Sequence, residues 1–380
     1  MKILSIITSF AAGGAEILVS DLSGAFVDSG HASTVVALSP AEAIGNDVST
    51  EQALRNKIIA GGGQALLLGI PDRRDLLAGA RAMRRLIAAE RPDVIHAHTA
   101  RALSMLWLAG ARCPIVLTHH NSKLSFPPWM FRLFDQIVDG YVAISRECFE
   151  MFSARVRRPV THILNAAGPG FLASSARTAT GRPPILLAVG ALTDQKNYAM
   201  MIEAARRLSL AEGFRLKIAG NGALREQLQQ QIDSGGLGDI VELLGDRHDI
   251  PRLMREADLF LNTSHYEGLS IAMVEALQSA LPIVATDVQG TREVVKDGGN
   301  GLLVPPGDAG KYADAIVAVL ADPQAYCRMS EAALVEGTKY RLDDCTAEHL
   351  ALYGESTRRA RSRGLARGRF PEWRPRSIFR

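Results

Sequence analysis

"DLFLNTSHYEGLSIAMVEALQSALPIVATDVQGTREVV", Asp258 to Val295, is the stretch from which the rest of the chain becomes readable. "DLFLNTS" is an apolar, β-prone run, "HYEGLS" is a turn carrying Glu267, and "IAMVEAL" opens a helix carrying Glu275 before "PIVATD" makes the next strand. Strands that are apolar throughout, rather than at alternate positions, are covered on both faces, which is the habit of parallel sheets.

The same alternation extends outward. "ILSIIT", "STVVALS", "DVIHAH", "PIVLTHH" and "GYVAIS" read as strands before residue 150, and "ILLAVG", "RLKIAG" and "GLLVPP" join "DLFLNTS" and "PIVATD" after it. Segments with helical apolar spacing, such as 73–90 and 198–211, lie between them. This predicts a doubly wound α/β architecture. The series breaks once, at "NAAGPGFLASSARTATGRPP" (Asn165 to Pro184), which has turn formers and almost no large apolar residue. The expected division is a first domain over 1–167, a linker over 168–184, a second domain over 185–353 and a basic tail over 354–380. The tail is read as partly packed on the first domain. Open parallel sheets bind ligands at the carboxyl ends of their strands, so two such halves place a cleft between them.

Composition bounds the function. No run approaches the roughly 18 apolar residues a spanning helix needs, and Ser5, Thr8 and Ser9 break the short apolar start that a signal peptide would require. The four cysteines form no CxxC pair, which fits thiols in a reducing cytoplasm better than a zinc or redox motif. The formal charge of +3 is unevenly placed. Residues 355–380 hold nine arginines and two glutamates, so the body before them is net acidic and offers no general nucleic-acid surface.

Glu267 and Glu275 are eight residues apart on one helix start, roughly 12 Å at about 1.5 Å rise per residue. Carboxylates that far apart cannot share a proton, but they can hold separate hydroxyls of one long ligand. Between them the amides of Gly268, Leu269 and Ser270 sit where a helix N-terminus favours an anion. A solvated acidic face is the ordinary alternative, yet Glu275 lies inside "AMVEAL", where an ion needs a partner. At the other end of the chain, "SFAAGGAEILVSDLS" (residues 9–23) follows the first strand. Its Gly13-Gly14 pair reads as a phosphate cradle, a cleavage region or an ordinary turn. It is not the dinucleotide fingerprint, because no third glycine follows at the required spacing.

"GGAE", "VGALTDQKN", "IAGNG", Glu267-Gly268 with its interval to Glu275-Ala276, "PIVATD" and "GNGLLVPPGD", occurring in this order along the chain, resemble the family-4 glycosyltransferases of the GT-B fold. The resemblance reaches to about Tyr353. It implies two facing Rossmann-like domains, a nucleotide-sugar donor in the second and an acceptor in the first. By that resemblance Glu275 holds the ribose hydroxyls and Glu267 a hydroxyl of the transferred sugar. Lys196 offsets charge on the departing diphosphate. Gly13, Gly14, Gly220, Gly222, Arg247, Gly268, Leu269 and Ser270 line the donor. The glycine turn thereby becomes a phosphate-side turn, where backbone approaches without a Cβ in the way. Relatives commonly have Arg where this chain has Ala191, for which Arg247 and Arg292 are the candidate substitutes, and often Gly where it has Ala280.

The first half ends two strands in histidine pairs, His96 with His98 and His119 with His120, which on residues alone are structural or a metal set. The resemblance selects His98 as the residue near the anomeric carbon, His120 as lining the acceptor side and Ser145 as a cleft serine. It implies retention of configuration by front-side attack, no metal and no cofactor beyond the co-substrate. "KLSFPPWMFRLF" (Lys123 to Phe134) and the arginine tail, with Phe370 and Trp373, mix aromatic and basic residues in the way that suits an anionic membrane surface. The expectation is therefore a hexosyltransferase using a nucleotide-diphosphate sugar, most readily a UDP-sugar, and a glycan or polyprenyl-linked acceptor. It would serve exopolysaccharide, lipopolysaccharide or capsule synthesis from the cytoplasm, peripheral on the inner membrane face. A GT-B nucleotide-sugar epimerase and a catalytically lapsed GT-B sugar-binding protein are the alternatives.

Overall fold

The structure, a computed structural model, describes residues 1–11, 13–44, 48–70, 75–120, 124, 126–178, 183–208 and 213–363. The strands of the first domain are β1 (Lys2–Ile7), β2 (Ala32–Ala37), β3 (Gln64–Leu67), β4 (Val94–Ala97), β5 (Ile115–Thr118), β6 (Gly140–Ala143) and β7 (Val160–His162). They form one parallel sheet in the order β3-β2-β1-β4-β5-β6-β7, with Ser5 opposite Val35 on one side and His96 on the other. The second domain contributes β8 (Ile185–Val189), β9 (Arg215–Ala219), β10 (Val241–Gly245), β11 (Leu259–Asn262), β12 (Ile283–Thr286) and β13 (Gly301–Val304). These make a parallel sheet in the order β10-β9-β8-β11-β12-β13.

Both sheets are doubly wound, as expected. The central strands are buried on both faces, which is why β4, β5, β6, β11 and β12 are buried at every residue. Several helices start where a side chain takes up orphan amides. Asp75 accepts from Ala78 N ahead of the helix Leu76–Glu90, and Asp322 accepts from Gln324 N and Ala325 N ahead of Pro323–Gly337.

The chain crosses between domains twice, and the crossings touch: Ala167 N donates to Tyr340 O at 3.4 Å. After the second crossing the helix Leu342–Arg363 returns to the first domain. There Cys345, Leu352 and Tyr353 pack with Ile3, Leu22, Phe26, Val116 and Val142 on one face of the sheet. Burying aromatic and aliphatic side chains of this kind is worth about 1.5–3 kcal/mol each. The opposite face carries the helices Leu76–Glu90 and Ala100–Ala109 together with the aromatic segment.

That segment corrects an expectation. Phe126, Phe131 and Phe134 are buried, Phe126 meeting each of the other two edge-to-face, with Phe152 and Tyr141 beyond, so they are core and cannot meet a membrane. Trp129 alone of the four aromatics is exposed, at 66%. Lys123 and the tail from 364 onward lie outside the described residues.

Candidate active site

The second domain builds its part of the site from the ends of β8 and β11. After β8 the chain makes a short 3-10 turn, Asp194–Lys196, and Asn197 at φ 49° redirects it into the helix Tyr198–Arg207. Thr263, just past β11, donates to the carbonyls of Lys196 and Asn197 at 2.9 and 3.0 Å. His265 N donates to Gln195 O at 2.8 Å. The two loops are thereby laced together, and Lys196 Nζ comes to 2.6 Å from Glu267 Oε1. Ser264 Oγ at 2.6 Å and Asn262 Nδ2 at 3.3 Å donate to the same oxygen. Glu267 is only 5% exposed, and one cation and two neutral donors meet at this one oxygen.

Past Glu267 the helix Ile271–Gln278 begins at Ser270, with no side-chain cap. Among the described residues the amides of Gly268, Leu269 and Ser270 donate to no other group. Their unpaired N-H groups at a helix start make a site for negative charge. Glu275 lies one turn further in and is 5% exposed; among the described residues neither of its oxygens accepts a hydrogen bond. Burial, reinforced by the negative charge of Asp21 and opposed by Lys57, pushes its carboxyl up to about 8.

The first domain meets this helix through its glycine turn. Gly13 precedes the helix Gly14–Asp28, and a Cβ on Gly14 would stand 3.2 Å from Ile271 Cβ. A Cβ on Gly13 would collide with the Glu16 carboxylate, which folds back over the turn and which burial raises to about 7. The turn therefore faces the helix that carries Glu275 and that Glu267 precedes by four residues; the expectation of both carboxylates on one helix holds only for Glu275. Gly220 and Gly222 have a different neighbour. A Cβ on Gly220, at φ +140°, would lie 2.0 Å from Gly190 O, and one on Gly222 would lie 2.5 Å from Leu192 O. Their smallness lets the turns after β8 and β9 interlock.

His98 and His120 come together, Nδ1 to Nε2 at 2.9 Å, with the rings nearly stacked at 5.2 Å. Burial holds both well below the usual imidazole range, so they are neutral at pH 7. Among the described residues His120 Nδ1 is buried without a partner. Ser145 is placed differently. It is fully buried and accepts from Cys148 N as the cap of the helix Arg146–Ser153, and the adjoining Arg146 N reaches across to Glu293 at 2.8 Å. Arg247 and Arg292, the candidates to stand in for the arginine missing at Ala191, are each forked onto a carboxylate. Arg247 holds Asp249 at 2.8 and 2.7 Å, and Arg292 holds Asp287 at 2.6 and 3.0 Å. Among the described residues no group of three or more His, Cys, Asp or Glu is placed to hold a metal ion.

Comparison with known proteins agrees with this fold. The family described as Glycosyltransferase Family 4 matches residues 12–167, and that described as Glycosyl transferases group 1 matches residues 174–335. The chain belongs to the family-4 glycosyltransferases of GT-B fold. Among similar proteins, an alpha-D-kanosaminyltransferase of Streptomyces kanamyceticus is 34% identical over 176 residues, 45% of this chain and 46% of that protein. The lipopolysaccharide core biosynthesis glycosyltransferase LpsE of Rhizobium meliloti is 27% identical over 253 residues, 66% of this chain and 72% of that one. Of solved structures, Anabaena HepE in complex with UDP and glucose superposes with a TM-score of 0.75 at 21% identity, over 93% of this chain and all of that one.

Two departures of this family-4 chain now have structural content. Ala191 is exposed in the turn after β8. Ala280 is fully buried and sits at φ +55°, a left-handed conformation that costs a non-glycine residue about 1–2 kcal/mol, which explains why glycine suits the position better. The sequence reading missed Asp21 and Lys57, paired at 2.5 Å and facing Glu275 from the first domain. No local pattern marks them, because the partner is more than 200 residues away. It also passed over Tyr353, whose hydroxyl lies under the histidines.

Proposed function

We propose that this protein transfers a hexosyl unit from a nucleotide-diphosphate sugar, a UDP-sugar in the first instance, to a glycan or lipid-linked acceptor in cell-surface polysaccharide synthesis. The observation that carries the reading is the Lys196–Glu267 pair, set at the head of a helix with unpaired amides and facing the Gly13-Gly14 turn. A diphosphate fits between a cation, free N-H groups and a glycine turn, with the sugar over Glu267 and the ribose within reach of Glu275. Similar proteins support the donor and the process: HepE is solved with UDP and glucose, and the LpsE name refers to lipopolysaccharide core biosynthesis.

In this reading Lys196 and the amides stabilise charge on the leaving diphosphate, and His98, neutral and backed by His120, lies at the anomeric carbon. Among the described residues no carboxylate pair is arranged about one bond, so transfer with retention by front-side attack is the proposed course, with positioning as the main contribution of the protein. Neither a metal nor a further cofactor is part of the proposal, and activity should persist in EDTA. Incubation with UDP, GDP and ADP separately should raise the melting temperature with one of them, UDP by expectation, and the matching sugar nucleotide should turn over to an α-linked product by NMR. No stabilisation by any of the three would overturn the reading.

We place the working enzyme in the cytoplasm, against the inner face of the membrane. No described helix is long and apolar enough to cross a membrane. What supports surface attachment is the outer side of the helices Leu76–Glu90 and Ala100–Ala109. Leu77 is 61% and Trp107 48% exposed there, beside Arg81, Arg84 and Arg85, which form no ion pair among the described residues. Basic residues near anionic lipid contribute about 1 kcal/mol each. The double change Leu77→Glu with Trp107→Glu should abolish sedimentation with anionic vesicles while transfer to a soluble acceptor survives. Undiminished vesicle binding would move the contact elsewhere.

A further inference from the structure

His96 is fully buried directly beneath His98, their ring centroids 3.9 Å apart and their planes inclined by 40°. Both of its nitrogens are engaged. Nδ1 is 2.6 Å from the Tyr353 hydroxyl and Nε2 is 2.7 Å from Thr118 Oγ1, so the ring cannot turn. His98 is therefore held between a locked ring below and His120 beside it. His349 adds a further neutral ring 5.4 Å from His96 and is itself tied by Nδ1 to Cys345 O at 2.8 Å.

An apolar pair in place of His96 and Tyr353 would fill the same space without the desolvation that two buried polar groups cost. Fully satisfied buried networks rigidify a region, and rigidity is what a ring at a reacting centre requires. Tyr353 also comes from an unexpected quarter. It belongs to the helix Leu342–Arg363, which reaches the first domain only after the chain has completed the second.

We infer that Tyr353, acting through His96, is a positioning residue for His98, so that the returning helix sets the orientation of the histidine at the reacting centre. The inference rests on the proposed place of His98 at the anomeric carbon. Tyr353→Phe keeps the ring against Phe26, which it meets edge-on at 5.7 Å, and removes only the hydroxyl. Its kcat should fall about tenfold, the scale of a small misplacement at a reacting group, with donor KM unchanged and the melting temperature lowered only by the loss of one buried hydrogen bond. Thr118→Val, which removes the other anchor, should act in the same direction.

Combined with His98→Ala, Tyr353→Phe should cost nothing further, because its effect passes through His98. Additive losses, or an unaltered kcat, would overturn the link. Side-chain nitrogen NMR of labelled histidine separates this inference from the reading beneath it. If His98→Ala leaves turnover intact, the reading of the site fails. The link then stands or falls on whether Tyr353→Phe shifts the His98 ring signals: a shift supports it and unchanged signals refute it.

Discussion

Lys196→Ala is expected to lower kcat by about 10²- to 10³-fold, the loss of one charge-stabilising contact worth about 3–4 kcal/mol in the transition state. Affinity for the free nucleotide should change far less, because the lysine meets charge that grows as the sugar departs. Folding should suffer modestly, by about 1–3 kcal/mol, since Glu267 keeps Ser264 and Asn262 as donors when the ammonium is gone. Steady-state kinetics alongside urea denaturation separates the two effects. With Arg247 and Arg292 both committed to carboxylates and Ala191 unable to contribute charge, little else is placed to substitute. An unaltered rate would show that the diphosphate is held in another way and that the role given to Lys196 is wrong.

Glu275→Gln should move two measurements in opposite directions. In the folded protein without ligand, burial holds the Glu275 carboxyl near 8, above its ordinary 4.5. Protonation therefore favours the fold: the contribution is complete below about pH 4.5 and is lost as pH rises through about 8, at up to about 1.4 kcal/mol per unit. Glutamine has no proton to lose, so the variant should be the more stable of the two at pH 9. Nucleotide binding should go the other way. An ionised carboxylate accepts from both ribose hydroxyls and an amide cannot, which costs about 1.5–3 kcal/mol. The wild-type affinity should also rise between pH 6 and 8 as the carboxylate forms, while that of the variant stays flat. Equal affinities, or a flat wild-type profile, would remove Glu275 from the ribose.

Why some elements were legible in the sequence and others were not follows from where they lie. Ten strands stand out as apolar runs because nearly all are interior to a sheet. The three that do not, β3, β7 and β10, are edge strands and only partly covered, and "QALL", "VTH" and "VELLG" carry no continuous apolar signal. The Lys196, Glu267 and glycine positions were legible because each sits just after a strand, where the fold puts chemistry. Phe126, Phe131 and Phe134 pulled the other way, since a run of aromatics beside basic residues looks alike whether it faces lipid or a neighbouring Phe152. The engagement of Arg247 with Asp249 was within local reach. The approach of Asp21 and Lys57 to Glu275, and of Tyr353 to His96, depends on the docking of distant segments and leaves no local trace.

The returning helix also bears on how the protein is made. Ile3, Leu22, Phe26, Val116 and Val142 are covered by side chains that leave the ribosome only after the whole second domain. At about 5–20 residues per second, the first sheet waits on the order of ten to forty seconds, while the whole second domain is synthesised, before that face can close. The second domain, whose sheet is drawn from one unbroken stretch, can complete its core sooner. Synthesis order and folding order are thus reversed, and the half that emerges first is the half that depends on chaperones for longest. A nascent chain arrested before residue 342 should present this apolar face to a holdase, and the finished protein should not.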